Sequence, residues 1–452
     1  MKKNYKKPVL SASPDIRTAE SKISPLVAFL IKIFGRLYLF LFFGVTRILP
    51  HKEKTLYEAF ERALSGKSRL IIAFRHPNGG EPQLLTWFFL FRLKSHARKY
   101  GVRYKLQPHT VFLYGYEVVR WGGWVPRIIL PGVGALPIYH SKMDTKGMSR
   151  IYGAITNGPY PIAIAPEGQV SYTADSVTRL EPGVVRIGFY AAEHLEKKNP
   201  DCPVEVLPLS IHFRFGSWGK GTVEFLLRHI EKFCGFKRKE KKNLPFHERL
   251  KKCRDYILKI NEERYNLKND DSLSFEERIE KVANAALETA EQMLNLKAEG
   301  DFFMRQHKVR QICWDRIFIP DIYNFKELSP VKRSVMDLKA GEAWYIARHE
   351  ELANLCWYLR IKLPAEETPL HNKIEYTQNL HDFANRTMGG AFSNRVSIFP
   401  RRVIIKTAPA INLTERLPAY RKTRKAEIAK TLADLEKAYL DNINEMNLIE
   451  QG

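Results

Sequence analysis

The stretch LIIAFRHPNGGEPQLLTWFFLF, residues 70–91, decides how the chain folds. It runs apolar through Phe74, meets Arg75 and His76, and passes through the turn formers Pro77, Asn78, Gly79 and Gly80. After Glu81 a second apolar run begins. A short continuous apolar run bounded by turn residues reads as a strand covered on both faces. Pro82 suits the first position of a helix, where its missing N–H would have been unbonded anyway. The stretch therefore predicts strand, tight turn and helix. His76 falls at the C-terminal end of the strand, the edge at which open α/β sheets bind ligands. A tight turn can bring Glu81 back to one imidazole nitrogen, fixing the tautomer and offsetting positive charge. The other nitrogen is then a base facing a hydroxyl. The same pair also admits a plainer reading, a loop histidine beside a helix-capping glutamate.

The texture of this stretch continues from 69 to about 230. The apolar runs RLIIAF, TVFLYGYEVV, GALPIY, YPIAIAP and VEVLPLSIHF alternate with helix-like pieces at 82–99 and 184–198. Such alternation predicts an α/β fold with a mostly parallel sheet flanked by helices. From about 231 the chain turns helical and charged. SFEERIEKVANAALETAEQMLNL opens on a Ser-x-x-Glu helix start, and GEAWYIARHEELANLCWYLRIKL predicts another helix. RRVIIKTAPAINL (401–413) reads as a returning strand and RKAEIAKTLADLEKAYLDNINEM as a closing helix. The organisation is thus an N-terminal basic segment with membrane-associating helices (1–64), an α/β domain (65–230), a helical region (231–400), and a returning strand with a C-terminal helix (401–452).

The net charge of +24 points to anionic partners rather than to a fold. Nucleic acid is the rival partner, but no recognition helix, RNP pattern or zinc spacing accompanies the charge. The five cysteines are scattered with no CxxC pair, which argues against a zinc ribbon or a disulfide framework and for a reducing compartment. The N-terminal stretch SPLVAFLIKIFGRLYLFLFFGVTRILP (24–50) is long enough to span a bilayer. Lys32 and Arg36 sit four apart in its middle and share one helix face, and charge at mid-bilayer is costly. A helix lying in the headgroup plane answers this better than a span. A buried core helix is the third reading. The basic run 236–255 is either a solvated helix face or a second contact with anionic headgroups.

Three later stretches bear on His76. GALPIYH (134–140) is a glycine turn feeding a strand that ends in His140, with Lys142 just beyond. APEGQVS (165–171) ends a strand in Pro-Glu-Gly, and VLPLSI (206–211) is an apolar strand with a central proline. Taken in order after His76, they resemble the four blocks of the glycerolipid acyltransferases, the lysophosphatidate acyltransferases and their relatives. Those blocks are Asn/Ser-His-x-x-x-x-Asp, Gly-x-Ile-Pro-Ile-x-Arg, Phe-Pro-Glu-Gly-Thr-Arg-Ser and Val/Ile-Pro-Val. The resemblance covers about 65–215.

The resemblance implies that His76 is the general base on an acceptor hydroxyl and that Glu81 orients it in place of the family's aspartate. It implies that Glu167 and Gly168 shape the acceptor site, with Gly134, His140, Lys142 and Ser171 in the same substrate-binding blocks. Ser171 reads as a support for its turn rather than a reacting group. The donor implied is an acyl thioester on coenzyme A or acyl carrier protein, with no metal or other cofactor. The acceptor is a lysolipid, by default 1-acylglycerol-3-phosphate. The implied location is peripheral or monotopic at the cytoplasmic face of a membrane. The sequence also departs from the pattern. Glu81 is a methylene longer than aspartate, so the Gly79-Gly80 turn must absorb its reach. His140 and Val170 stand where the family has arginines that serve the acceptor phosphate. Lys142, Arg179 or Arg186 is left to supply the missing charge; alternatively the acceptor carries a different head group. These departures keep open a catalytically inactive, lipid-binding scaffold of the same fold.

Overall fold

The computed structural model describes residues 9, 11–17, 19–51, 53–139, 144–216, 218–237, 243–390 and 395–451. Its principal sheet has eight strands: β1 (Val45–Pro50), β2 (Arg69–Phe74), β3 (Val111–Gly115), β4 (Leu136–Ile138), β5 (Ile162–Ile164), β6 (Val204–Phe215), β7 (Arg401–Thr407) and β8 (Ile411–Asn412). The helices are α1 (Pro25–Phe43), α2 (Lys54–Leu64), α3 (Glu81–Phe91), α4 (Trp124–Gly132), α5 (Thr145–Asn157), α6 (Gly183–Lys198), α7 (Trp218–Phe233), α8 (Phe246–Arg264), α9 (Phe275–Met293), α10 (Phe302–Ile317), α11 (Pro330–Tyr358), α12 (Leu370–Thr387) and α13 (Arg424–Gln451). Short helical turns occur at Leu93–Arg98, Val118–Trp121 and Leu417–Lys422.

The chain divides into two units. The sheet unit comprises Ala19–Val118, Gly122–Gly216 and Ile398–Gly452. Its strands run in the order β1-β7-β6-β2-β5-β3-β4, with β8 beside β6. Strands β6, β2, β5, β3 and β4 are mutually parallel, and β7 joins β6 antiparallel. The fold is therefore α/β, with a largely parallel sheet flanked by helices. Strand β2 shows why it sits at the centre. Leu70, Ile72 and Phe74 join a core with Phe60, Leu85 and Phe88, while Ile71 and Ala73 join the other core with Val185, Ile187 and Tyr439. Both faces are covered, as the unbroken apolar run requires. The chain visits β3, β4 and β5 on one side of β2 and then returns to β6 on the other. The C-terminal end of β2 is thus the point where the strand order reverses, the usual mouth of such sheets.

The helical unit comprises Met1–Thr18, Val119–Trp121 and Ser217–Ser397. Its charged sequence is explained by ion pairs that stitch helices together: Arg249 to Glu224 and Glu231, Arg278 to Glu262, Arg305 to Glu291 and Arg310 to Glu350. Arg249, within the basic run, is held in this way and not offered to headgroups. Ser274 and Glu277 form the expected capping box of α9. Helix α11 begins at Pro330, well before the apolar positions that signal it. All five cysteines are buried and free.

The apolar stretch 24–50 is not one element. Ser24 caps α1, Gly44 ends it at φ +66, and residues 45–50 form β1, parallel to β7. Only 11% of the apolar stretch of α1 is buried. Leu26, Leu30, Ile33, Leu37 and Leu41 form an exposed stripe at helical spacing. The core-helix reading therefore fails. Trp124, Val125 and Ile128 of α4 are also exposed, and Gly132 of α4 packs on Val27 of α1. Trp121 and Trp124 are exposed on the surface.

His212 of β6 is wholly buried, with Asp175 Oδ1 3.9 Å from its Nδ1. Burial lowers its pKa to about 4, with Asp175 opposing and Arg214 and Arg75 assisting. Its folded pKa lies below the unfolded value of about 6.5, so its contribution to stability is complete above that value and is lost as pH falls toward 4. Denaturant unfolding at successive pH values should show wild type losing up to about 1.4 kcal/mol per pH unit in that window relative to His212→Gln. Parallel pH profiles for the two proteins would contradict the burial argument.

Candidate active site

Strand β2 leaves the sheet just after Arg75, whose amide still donates to the Leu209 carbonyl at 2.9 Å. The Arg75 side chain turns inward and is 1% exposed. A buried guanidinium needs acceptors for its donors. Its Nε donates to Glu167 Oε1 (2.6 Å) and its Nη2 to the carbonyls of Thr173 (3.1 Å) and Ser176 (2.7 Å). Nη1 points to the Ala174 carbonyl at 3.4 Å. The other oxygen of Glu167 accepts the His76 amide at 2.7 Å. The Ser171 amide donates to the His76 carbonyl at 2.9 Å. Both backbone polar groups of His76 are thus held by the loop that follows β5.

The His76 side chain is 16% exposed, and its Nδ1 lies 2.6 Å from Oε2 of the fully buried Glu81. The Gly79 amide donates to the same oxygen at 2.8 Å. Gly79 takes φ +92, a conformation natural to glycine, and so the turn absorbs the longer glutamate arm. Glu81 Oε1 is buried without a hydrogen-bond partner. The charge of this carboxylate is therefore answered only at Oε2. That geometry assigns the proton to Nδ1 and leaves Nε2, which has no protein partner among the described residues, as an acceptor. An imidazole arranged in this way can take a proton from a hydroxyl placed at Nε2.

Two further contacts hold the turn. A Cβ on Gly80 would stand 2.5 Å from the ring of Phe43, the last residue of α1, so only glycine permits that approach. Asn78 Oδ1 accepts from Nη1 of the buried Arg401 at 2.5 Å, and Arg401 also lies over the rings of Phe213 and Phe215.

The remaining candidate residues take varied positions. Both oxygens of Glu167 are committed inside the protein, so its carboxylate positions the His76 main chain. Gly168 has φ +70 and lies beneath the Glu181 carboxylate. Ser171 is buried, and its hydroxyl donates to the Thr173 carbonyl at 3.3 Å. Gly134 makes the turn into β4 with φ +72, against Ile23. His140 and Lys142 lie outside the described residues. Arg186 is exposed on α6 and Arg179 is half-buried before it. Arg75, Asn78 and Arg401 have structural tasks that motif spacing did not reveal. The available signal was an arginine placed directly at the end of an apolar strand. Among the described residues no cluster of three or more His, Cys, Asp or Glu is disposed to hold a metal ion.

Comparison with protein-family models, with curated proteins and with solved structures gives no match for this chain. Arg75→Met strands the buried Glu167 carboxylate and should cost about 3–5 kcal/mol. Adding Glu167→Gln should restore part of that, because no unpaired charge then remains. Denaturant unfolding checks both, and a single variant as stable as wild type would contradict the assigned pairing.

Proposed function

We propose that this chain is an acyltransferase that works on lipid at a membrane surface. The reaction moves an acyl group from a thioester, on coenzyme A or acyl carrier protein, to the hydroxyl of a lysolipid. The observation that carries this reading is the Glu81–His76 contact of 2.6 Å at the C-terminal edge of a parallel strand, with Nε2 left open. The order of the four sequence blocks supports it, and so does the exposed apolar stripe of α1. The five free, buried cysteines accord with the cytoplasmic face, where such thioesters are found.

His76 Nε2 takes the proton of the acceptor hydroxyl as its oxygen bonds to the thioester carbonyl carbon. The tetrahedral intermediate then collapses, the carbon–sulfur bond breaks, and the departing thiolate takes the proton from Nε2. Ester and thiol leave, and His76 is neutral again. The Glu81 carboxylate stabilises the imidazolium between the two steps. A buried neighbour that is negative and half-satisfied suits that task, because the positive ring completes its environment. Glu167 and Arg75 act only through the position of the His76 backbone. Lysophosphatidate is the default acceptor, and with His140 and Val170 in place of the resembling family's arginines a lysolipid of another head group is the alternative.

His76→Ala should lower transfer to 1-acylglycerol-3-phosphate by about 10²–10⁴-fold, measured by mass detection of the product, with the folded state intact. Unchanged turnover in the variant would exclude His76 as the base. Absence of turnover in wild type, across acyl donors and lysolipids, would favour the inactive scaffold.

Deleting residues 24–50 would remove a sheet strand along with the helix, so the membrane role needs a gentler variant. Ile33→Glu, Leu37→Glu and Leu41→Glu together should release the protein from vesicles in flotation without shifting its thermal unfolding. Retention on vesicles would count against α1 as the membrane contact.

A further inference from the structure

The sheet unit has a groove of about 370 Å³ beside the C-terminal half of α3, lined by Arg36 of α1, Arg47 and Leu49 of β1, Trp87 of α3, and Arg92 and His96 just beyond it. Arg36 is anchored in place. Its guanidinium donates to the Val45 carbonyl at 2.7 Å and to the Thr46 carbonyl, and lies 6.0 Å from the centroid of the Trp87 ring. Arg47 and Arg92 are exposed, and neither side chain has a carboxylate partner among the described residues. Burial and then Arg92 hold the Arg36 pKa below its ordinary value. Burial, Arg92 and Lys99 do the same to His96. The groove therefore gathers three guanidinium groups, those of Arg36, Arg47 and Arg92, with no carboxylate partner among the described residues.

We propose that this groove binds the phosphate headgroup of an anionic membrane phospholipid. Guanidinium groups match phosphate oxygens in geometry and charge, and Arg36, Arg47 and Arg92 supply three of them. Trp87 and Leu49 give the apolar wall that a glycerol backbone and the first methylenes of a tail would touch. The helix that contributes Arg36 also carries the exposed apolar stripe, so a headgroup in the groove has its tails beside a lipid-compatible surface. Helix rise places Arg92 about 16 Å from Glu81 along α3. The phosphate and the free hydroxyl of a lysophosphatidate are separated only by the glycerol, so an acceptor whose hydroxyl meets His76 falls short of the Arg92 end of the groove. The site is separate from the reaction centre and stands whether or not the acyl-transfer reading does.

Calorimetric titration of the full chain with dihexanoyl phosphatidic acid, below its micelle concentration, tests the proposal. Parallel titrations use dihexanoyl phosphatidylcholine, inorganic phosphate and coenzyme A. One-to-one binding of the phosphatidic acid is expected, with the other three markedly weaker. Arg47→Ala with Arg92→Ala should weaken that binding by about fivefold per arginine removed. Lys425→Ala with Lys430→Ala on α13, equal in charge, should leave it unchanged. Arg47 and Arg92 are exposed and unpaired, so the variant keeps its fold, which thermal unfolding verifies. The proposal is overturned if phosphatidic acid does not bind, or if inorganic phosphate binds as well. It is equally overturned if coenzyme A binds more tightly, or if the arginine variant binds as wild type does.

Discussion

Arg75 is sealed from water, so its charge and its donors have to be answered from within the protein. Glu167 supplies the counter-charge, and the carbonyls of Thr173 and Ser176 accept from the rest of the fork. Because the second oxygen of Glu167 takes the His76 amide, this one ion pair fixes the point where the chain leaves the sheet. Ser171 completes the hold on the His76 carbonyl. Two stretches of sequence some ninety positions apart thus form one piece of structure. Breaking such a pair leaves a buried charge uncompensated, which gives it a large say over local geometry. The imidazole is then aimed by Glu81, whose single satisfied oxygen faces Nδ1.

The surface-exposed part of the sheet unit is built into the same arrangement. Helix α1 ends with Phe43 against Gly80, in the turn between His76 and Glu81. Residues 45–50 continue directly into the sheet, paired with the strand that begins at Arg401. Arg401 in turn holds Asn78 of the turn. An apolar helix that packs on this turn and a strand that borders it give the histidine a fixed relation to the surface that α1 exposes. That relation also explains why Arg36, placed midway along an apolar helix, is tolerable. Two of its N–H donors go to the carbonyls of Val45 and Thr46, which hold the guanidinium at the groove rather than in an apolar medium.

The sequence made the centre of the fold legible and its margins less so. The run 70–74, the turn formers after it and Pro82 name strand, turn and helix without ambiguity, and Glu81 reaches His76 as the glycine turn allows. The strand at 45–50 was hidden because an apolar stretch shows no change of period where a glycine ends the helix. The burial of Arg75 was equally hidden, since charged residues are rarely fully buried and its partner lies far along the chain. The exposure of Trp124 ran against the ordinary preference of aromatics for cores. Helix α11 starts in VKRSVMDLK, where charge on most faces conceals helical periodicity. The bonds of Glu167 to Arg75 and to the His76 amide were not legible either, because motif spacing shows which residues are near a site and not which way they are used.

The assignment of the base turns on which imidazole nitrogen carries the proton, because Glu81 matters to the chemistry only by holding it at Nδ1. Nitrogen-15 NMR of protein labelled at histidine, with His76 identified by its loss in His76→Gln, reads this directly at neutral pH. The geometry requires a protonated Nδ1 with its hydrogen shifted far downfield by the carboxylate, and a bare Nε2. A His76 ring protonated at Nε2 and bare at Nδ1 would contradict the account.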